Sequence, residues 1–164
     1  MLYIDIFKAL NKARVGYAVA GGVAVVLHGY LRFTADLDLV IDLKKKNAEK
    51  FFVILQKLGY NPKIAVNKEE FASKTIRRRW IKEKNAVVFT FFHRKDPLML
   101  IDVFIREPIA FSMIKKKIIR IKLRNIVIPV ISLNHLIKLK KISGRPSDIM
   151  DVKNLQEIKL LRKK

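Results

Sequence analysis

Asp36-Leu37-Asp38-Leu39-Val40-Ile41-Asp42-Leu43, standing thirteen residues after Ala20-Gly21-Gly22, decides how this chain folds. Asp36 and Asp38 share one parity and Leu37 and Leu39 the other, which predicts a strand with unlike faces. The two aspartate Cα atoms are then about 6.5–7 Å apart, so their carboxylates can converge on metal ions roughly 3.5–4 Å apart. Asp42 has the same parity but stands at the strand end. Upstream, residues 17–20 read as a short buried strand, Gly21-Gly22 as a break, and residues 23–31 as an apolar helix or turn. Small residues between a strand and a helix start let backbone N–H groups face an anion. The pair fits neither G-x-G-x-x-G nor G-x-x-x-x-G-K-[ST], so Rossmann and P-loop assignments fail.

A third carboxylate stands out further along. Asp102 lies inside Leu98-Met99-Leu100-Ile101-Asp102-Val103-Phe104-Ile105, where every neighbour is apolar. An ionised group in such a strand costs several kcal/mol unless it is paired or holds a metal. Three carboxylates brought together repel by roughly 3 kcal/mol per pair at about 5 Å and an effective dielectric near 20. A hard divalent cation, Mg²⁺ or Mn²⁺, removes that repulsion. His28, His93 and His135 show no metal-ligand spacing and read as packed or surface histidines.

The remaining pattern is mixed. Residues 3–14 and 46–58 carry apolar stripes at helical spacing, and Asn67 can cap a helix over 68–76. Residues 60–66 read as a strand, and 86–93 with 98–105 as an antiparallel hairpin across Arg94-Lys95-Asp96-Pro97. A helix near 108–116 precedes a second hairpin, 118–123 with 126–131. Ser132 caps a helix to about residue 142. Ser147 is expected to cap a last helix that buries Ile149, Val152, Leu155, Ile158 and Leu161. The fold class is α+β (mixed α/β), with a core over 1–131 and a helical module over 132–164 packed on it.

Charge is the other prominent feature of the 164 residues: 35 Lys+Arg face 14 Asp+Glu, a net +21. Residues 1–43 are neutral, with Lys8, Lys12, Arg14 and Arg32 against Asp5, Asp36, Asp38 and Asp42, so the remainder carries the whole excess. Such a balance favours anionic partners. The absence of cysteine excludes disulfide scaffolds, zinc ribbons and thiol nucleophiles. The N-terminus lacks the basic and apolar regions of a signal peptide. The longest uncharged run, 15–31, is glycine-rich and leads into a strand. The expectation is a cytoplasmic protein with no membrane partner.

Ala20-Gly21-Gly22 followed by Asp36-Leu37-Asp38-Leu39, with Asp102 as the later acidic residue, resembles the signature of the nucleotidyltransferase superfamily with the DNA polymerase beta-like fold. The run from Gly21 to Gly29, then Arg32-x-Thr34-x-Asp36-x-Asp38, is closer still to minimal prokaryotic nucleotidyltransferases and to the catalytic toxins of type IV toxin–antitoxin (abortive-infection) systems. The segment from Ser132 through Lys140 to Asp148 and Asp151 is similar to their C-terminal part. Full toxins of that type carry a longer C-terminal helical region.

The resemblance implies a nucleotidyltransferase-like mixed sheet and a two-metal mechanism. Asp36, Asp38 and Asp102 would hold Mg²⁺ (or Mn²⁺) and act as catalytic residues. Gly21, Gly22, Arg32, Thr34 and Lys140 would bind a nucleoside triphosphate such as ATP, although Lys140 reads equally as one of several lysines on a solvated helix. Asp148 and Asp151, on the first turn of the last helix, read as structural partners of a group such as Arg145.

For the acceptor, Arg77-Arg78-Arg79-Trp80, Lys115–Lys117 and Lys138/Lys140/Lys141 could track a phosphate backbone, with Trp80 offering a stacking surface. RNA, such as a tRNA end, is the preferred acceptor, and an antitoxin protein is a conceivable partner. A protein or a small antibiotic stays open as acceptor. The rival reading is a non-catalytic, nucleic-acid- or partner-binding protein that retains the fold.

Overall fold

A computed structural model describes residues 3–162. In chain order the elements are α1 (Ile4–Lys12), β1 (Tyr17–Val19), α2 (Gly21–Leu27), β2 (Leu37–Ile41), α3 (Lys45–Lys57), β3 (Tyr60–Pro62), α4 (Lys68–Ala72) and α5 (Lys74–Lys84). There follow β4 (Val88–His93), β5 (Leu100–Phe104), α6 (Phe111–Lys115), β6 (Ile119–Leu123), β7 (Ile126–Val130), α7 (Leu133–Ser143) and α8 (Pro146–Leu161). The strands form one mixed sheet in the order β3-β4-β5-β2-β1-β7-β6. The mixed α+β class predicted by the pattern is the class observed.

Strand parity sets the two faces. β2 pairs in parallel with β5, placing Leu37 beside Ile101 and Leu39 beside Val103, and all four are buried. β4 adds antiparallel, with Phe89 and Phe91 on that same face. There Phe51 and Phe52 of α3, Phe71 of α4, Phe89 and Phe91 form an aromatic cluster with ring centroids from 5.1 to 6.4 Å apart. Offset and edge-on packing of this kind adds about 0.5–1.5 kcal/mol per pair beyond area burial. The opposite face carries Asp38, Asp102 and Thr90 in one row across β2, β5 and β4.

Both predicted hairpins form, β4–β5 and β6–β7. Three expectations need correction. The strand over 60–66 stops at Pro62, because proline supplies no N–H to extend the ladder. The helix over 68–76 breaks at Ser73, which leaves the helical region (ψ 117°), accepts from the Ile76 N–H and starts α5. The last helix begins at Pro146 with Arg145 as N-cap, rather than at Ser147. Proline suits a first helical position, where its missing N–H would be unsatisfied anyway.

The apolar stripe expected of α8 holds only in its middle, where Leu155 is buried and Val152 and Ile158 pack partly buried against the core. Ile149 and Leu161 are exposed, while Leu155 is buried together with Asp148 and Asp151. The helix therefore docks through carboxylates as much as through apolar side chains. Among the described residues no helix is long and apolar enough to cross a membrane.

Candidate active site

The topology brings the sequence-distant Asp102 beside Asp36 and Asp38 on the adjacent strand. Asp38 and Asp102 are direct register partners on parallel β2 and β5. Asp36 stands at the bend just before β2. Burial raises the Asp38 carboxyl first, and the neighbouring Asp102 charge raises it further, to about 6. The same two causes, in the same order, raise Asp36. Lys140, the Gly22 N–H and Arg145 pull Asp38 the other way without overcoming burial. Thr90, opposite Asp102 on β4, donates its hydroxyl to Asp102 Oδ1 at 2.6 Å. That bond uses one oxygen of Asp102 and fixes its rotamer.

Gly21 and Gly22 are not a break but the first residues of α2. Gly21 has φ +56°, and a Cβ there would lie 1.7 Å from Asp38 Oδ2. The Asp38 carboxylate thus occupies the space that the missing side chain leaves. At Gly22 a Cβ would come within 2.4 Å of Thr34 Oγ1 and 3.6 Å of Arg32 Cζ. Both glycines are therefore required by the close approach of DxD-loop and strand groups, whatever else their N–H groups face.

Arg32 and Thr34 face this glycine pair from the loop over 28–36, and Arg32 Nη1 is ion-paired to Asp151 on α8. Lys140 is not on a solvated helix face. It is 5% exposed, with Nζ 2.7 Å from Asp148 Oδ1 and 2.8 Å from Asp151 Oδ2. Arg145 Nε lies 2.9 Å from Asp148 Oδ2. Burial alone would raise Asp148, but hydrogen bonds from Lys140, Ser143 and Arg145 outweigh it and hold the carboxyl at about 2. Asp148 pairs with Arg145, the partner the sequence suggested, and Asp148 and Asp151 together link α7 and α8 to the Arg32 loop. That link has no local sequence signal.

Two other predicted features resolve differently. Arg77 is buried, donating from Nη1 to Phe71 O (2.7 Å) and from Nη2 to Leu43 O (3.0 Å). Trp80 stacks on Phe89 with centroids 5.4 Å apart. Arg77 and Trp80 of the expected RNA surface are thus engaged in packing, while Arg78 and Arg79 between them are exposed. His28 is likewise packed: its Nε2 lies 2.8 Å from Ile131 O, and burial lowers its pKa.

Among the described residues no group of three or more acidic, histidine or cysteine side chains stands close enough together to hold a metal ion as placed. The donor set nevertheless suits a hard divalent cation: three carboxylate groups on β2, β5 and the bend before β2, two of them raised by burial and mutual charge, and a cradle over Gly21 that only glycine permits.

Residues 3–155 match the family model described as aminoglycoside-2''-adenylyltransferase. No relative among curated proteins matches the chain. Among solved structures it is similar to the lincomycin-bound lincosamide antibiotic adenylyltransferase LnuA, at 19% identity and TM-score 0.61, with 94% of each chain covered. It is also similar to ANT(2'')-Ia in complex with adenylyl-2''-tobramycin, at 14% identity and TM-score 0.61, covering 98% of this chain and 92% of that one. At such identities these two likenesses are of fold.

Proposed function

Because the chain belongs to the aminoglycoside-2''-adenylyltransferase family and is a nucleotidyltransferase, we propose that it transfers a nucleoside monophosphate, AMP in the first instance, to a hydroxyl of a small acceptor. The observation that carries the reading is the register of Asp38 beside Asp102, with Asp36 at the adjoining bend.

In this reading Asp36, Asp38 and Asp102 hold a divalent cation, Mg²⁺ in the cell. When bound, that cation supplies positive charge at the α-phosphate and lowers the pKa of an acceptor hydroxyl. Gly21 and Gly22 bring α2's first turn close to the nucleotide phosphates. Arg32 and Thr34 contact those phosphates from the loop over 28–36, and Lys140 adds a buried positive charge within reach of Asp38. Asp102, with one oxygen occupied by Thr90, has its other oxygen for the acceptor proton. The acceptor oxygen forms a bond to the α-phosphorus, the α–β bridging bond breaks, and pyrophosphate leaves with its electron pair. ATP as donor is consistent with a cytoplasmic reaction.

A small hydroxylated acceptor is favoured over RNA because Arg77 is buried and Trp80 packs on Phe89, which removes the expected stacking pair, and because the two compared structures are antibiotic adenylyltransferases. The net +21 and the exposed Arg78, Arg79 and Lys115–Lys117 favour RNA. Nothing in the site speaks for a toxin role or an antitoxin partner, and the proposal includes neither.

The test is incubation with Mg²⁺ and each α-labelled nucleoside triphosphate, offering lincomycin, tobramycin or total RNA. Label from ATP on a small acceptor is expected. Absence of label with all four nucleotides, together with no Mn²⁺- or nucleotide-induced thermal shift, defeats the proposal.

A further inference from the structure

Residues 108–147 are the longest stretch of the chain without a carboxylate, and they hold ten of its Lys and Arg residues. Lys140 and Arg145 are taken up by Asp148. Lys115, Lys116, Lys117, Arg120, Lys122 and Arg124 are all exposed. Among the described residues none of these six has a carboxylate within 4.0 Å. Unpaired like charges concentrated on one surface oppose the compact state, and nucleotidyl transfer as read above uses none of them.

A groove of about 690 Å³ opens among these residues, bounded by α1, α6 and the β6–β7 hairpin. Lys8, Arg14, Lys115 and Arg120 line it, and no carboxylate does. Val127 and Pro129 also line it, and they are the register partners of Lys122 and Arg120. Paired residues share one face of a sheet, so Lys122 extends the basic row along β6. Asn11 holds the groove in shape: its Nδ2 donates to Val127 O at 2.8 Å, and its Oδ1 accepts from the Tyr17 hydroxyl at 3.0 Å. Two carboxylates stand near the rim, and each is paired at 3.8 Å, Asp5 with Lys8 and Asp42 with Lys44. The Asp42 N–H donates to Gly16 O and Tyr17 pairs with Ile41, which puts the groove at the end of β2 away from Asp36 and Asp38.

Charge and shape narrow the occupant. Lysine on an edge strand such as β6 also discourages edge-to-edge pairing, but that role asks nothing of Arg14 before β1 or of Lys115–Lys117 at the end of α6. A phosphate polymer satisfies several fixed cations at once and releases its own counterions. Tyr17 and Phe111, the aromatic residues of the groove, are buried, so unpaired bases find nothing there to stack on, which disfavours a single strand. Duplex RNA is held instead through phosphates and 2′-hydroxyls across its wide, shallow minor groove. At the hairpin turn, where Arg124 has φ +53°, the exposed Asn125 offers an amide that both donates to and accepts from a hydroxyl.

We propose that this groove and the basic row of β6 beside it bind the backbone of duplex RNA without sequence preference. The RNA is held away from Asp36, Asp38 and Asp102, so it is a docking partner and not the acceptor. Docking does not depend on the nucleotidyl-transfer reading, and the two are separable by substitution.

The experiment titrates the full chain into a fluorescent RNA duplex of about 20 base pairs, longer than the roughly 16 that a compact double-strand-binding domain spans. Anisotropy is read between about 50 and 200 mM salt. Expected is a log–log salt slope of about −4, as for about four or five neutralised phosphates. Arg120→Gln with Lys122→Gln and Arg124→Gln should raise Kd at least about tenfold and make the slope shallower by about 2–3. Lys115→Gln with Lys116→Gln leaves the hairpin untouched and should raise Kd at least about threefold. Lys82→Gln with Lys84→Gln and Lys95→Gln removes as much charge as the hairpin variant from exposed positions elsewhere, and should change Kd less than about threefold. Label transfer to a small acceptor should be unchanged in the hairpin variant.

Equal weakening in the Lys82, Lys84 and Lys95 variant assigns binding to net charge alone and overturns the proposal. Absence of duplex binding at the lowest salt does the same. A DNA duplex or single-stranded RNA of the same sequence bound as tightly overturns the choice of duplex RNA. An acidic polypeptide bound as tightly assigns the surface to a protein partner instead. Label from α-labelled ATP on the bound duplex would make RNA the acceptor and overturn the separation of the two surfaces.

Discussion

Lys140 Nζ lies 2.7 Å from Asp148 Oδ1, and neither side chain is more than 5% exposed. Desolvating both groups is costly, and their attraction offsets that cost only because Asp151 and Arg145 complete the arrangement. Removing the cation alone leaves two buried carboxylates each short of its buried partner, with only the more exposed Arg145 and Arg32 still paired to them. Lys140→Met should therefore destabilise the fold by about 3–5 kcal/mol, measured by urea unfolding. Adding Asp148→Asn and Asp151→Asn to it should recover part of the loss.

The same pair makes a pH prediction. Asp148 is held at about 2 in the folded chain against an ordinary 3.8. A depressed carboxylate contributes stability that is fully present above the unfolded value and is lost as pH falls through the folded one. Unfolding free energy of the parent should drop between about pH 4 and 2. In Asp148→Asn this part of the decline should vanish, at the cost of lower stability at neutral pH.

Asp38 has the opposite sign. Its folded pKa of about 6 lies above the ordinary 3.8, so its ionised form opposes folding at neutral pH in the metal-free protein. Asp38→Asn should raise thermal stability without metal at pH 8, by an amount on the order of 1–3 kcal/mol, with the difference fading below about pH 4. The same substitution should abolish stabilisation by Mn²⁺ and lower label transfer at least about 10³-fold.

Asp151 restrains Arg32 across 119 positions of sequence. Asp151→Asn should weaken ATP binding about tenfold or more, by releasing a charge-assisted bond that aims the guanidinium. Mn²⁺ titration of the free protein should be unaffected, because the metal carboxylates lie on other elements. Equal loss of both would show a merely structural role.

At Gly21, φ +56° and the Asp38 carboxylate together exclude any side chain. Gly21→Ala should displace Asp38 and lose Mn²⁺-induced stabilisation, while the fold itself falls by about 1–3 kcal/mol. Calorimetric unfolding with and without Mn²⁺ separates the two effects.

The sequence by itself determined the strand pattern around Asp38 and Asp102, because period-two alternation is local and one-residue slips would expose Leu37 and Leu39. It also set Gly21-Gly22 ahead of the Asp-x-Asp strand, and in the fold Gly21 meets Asp38. Only tertiary structure decided what the charged residues do. Arg77 and Lys140 look like members of solvated basic runs, and both are buried because carbonyls of Phe71 and Leu43, and carboxylates of Asp148 and Asp151, meet them from distant segments. Asp148 and Asp151 in turn extend the shortened apolar stripe of α8, taking the buried places where Ile149 was expected. The exposure of Phe33 beside the inward Arg32 is equally illegible, since a loop has no periodic core to predict its faces. Local pattern encodes which side of an element is apolar. Pairing of charges depends on which elements meet, and that is settled only when α7 packs against α2 and α8 and brings Lys140 to Asp148 and Asp151.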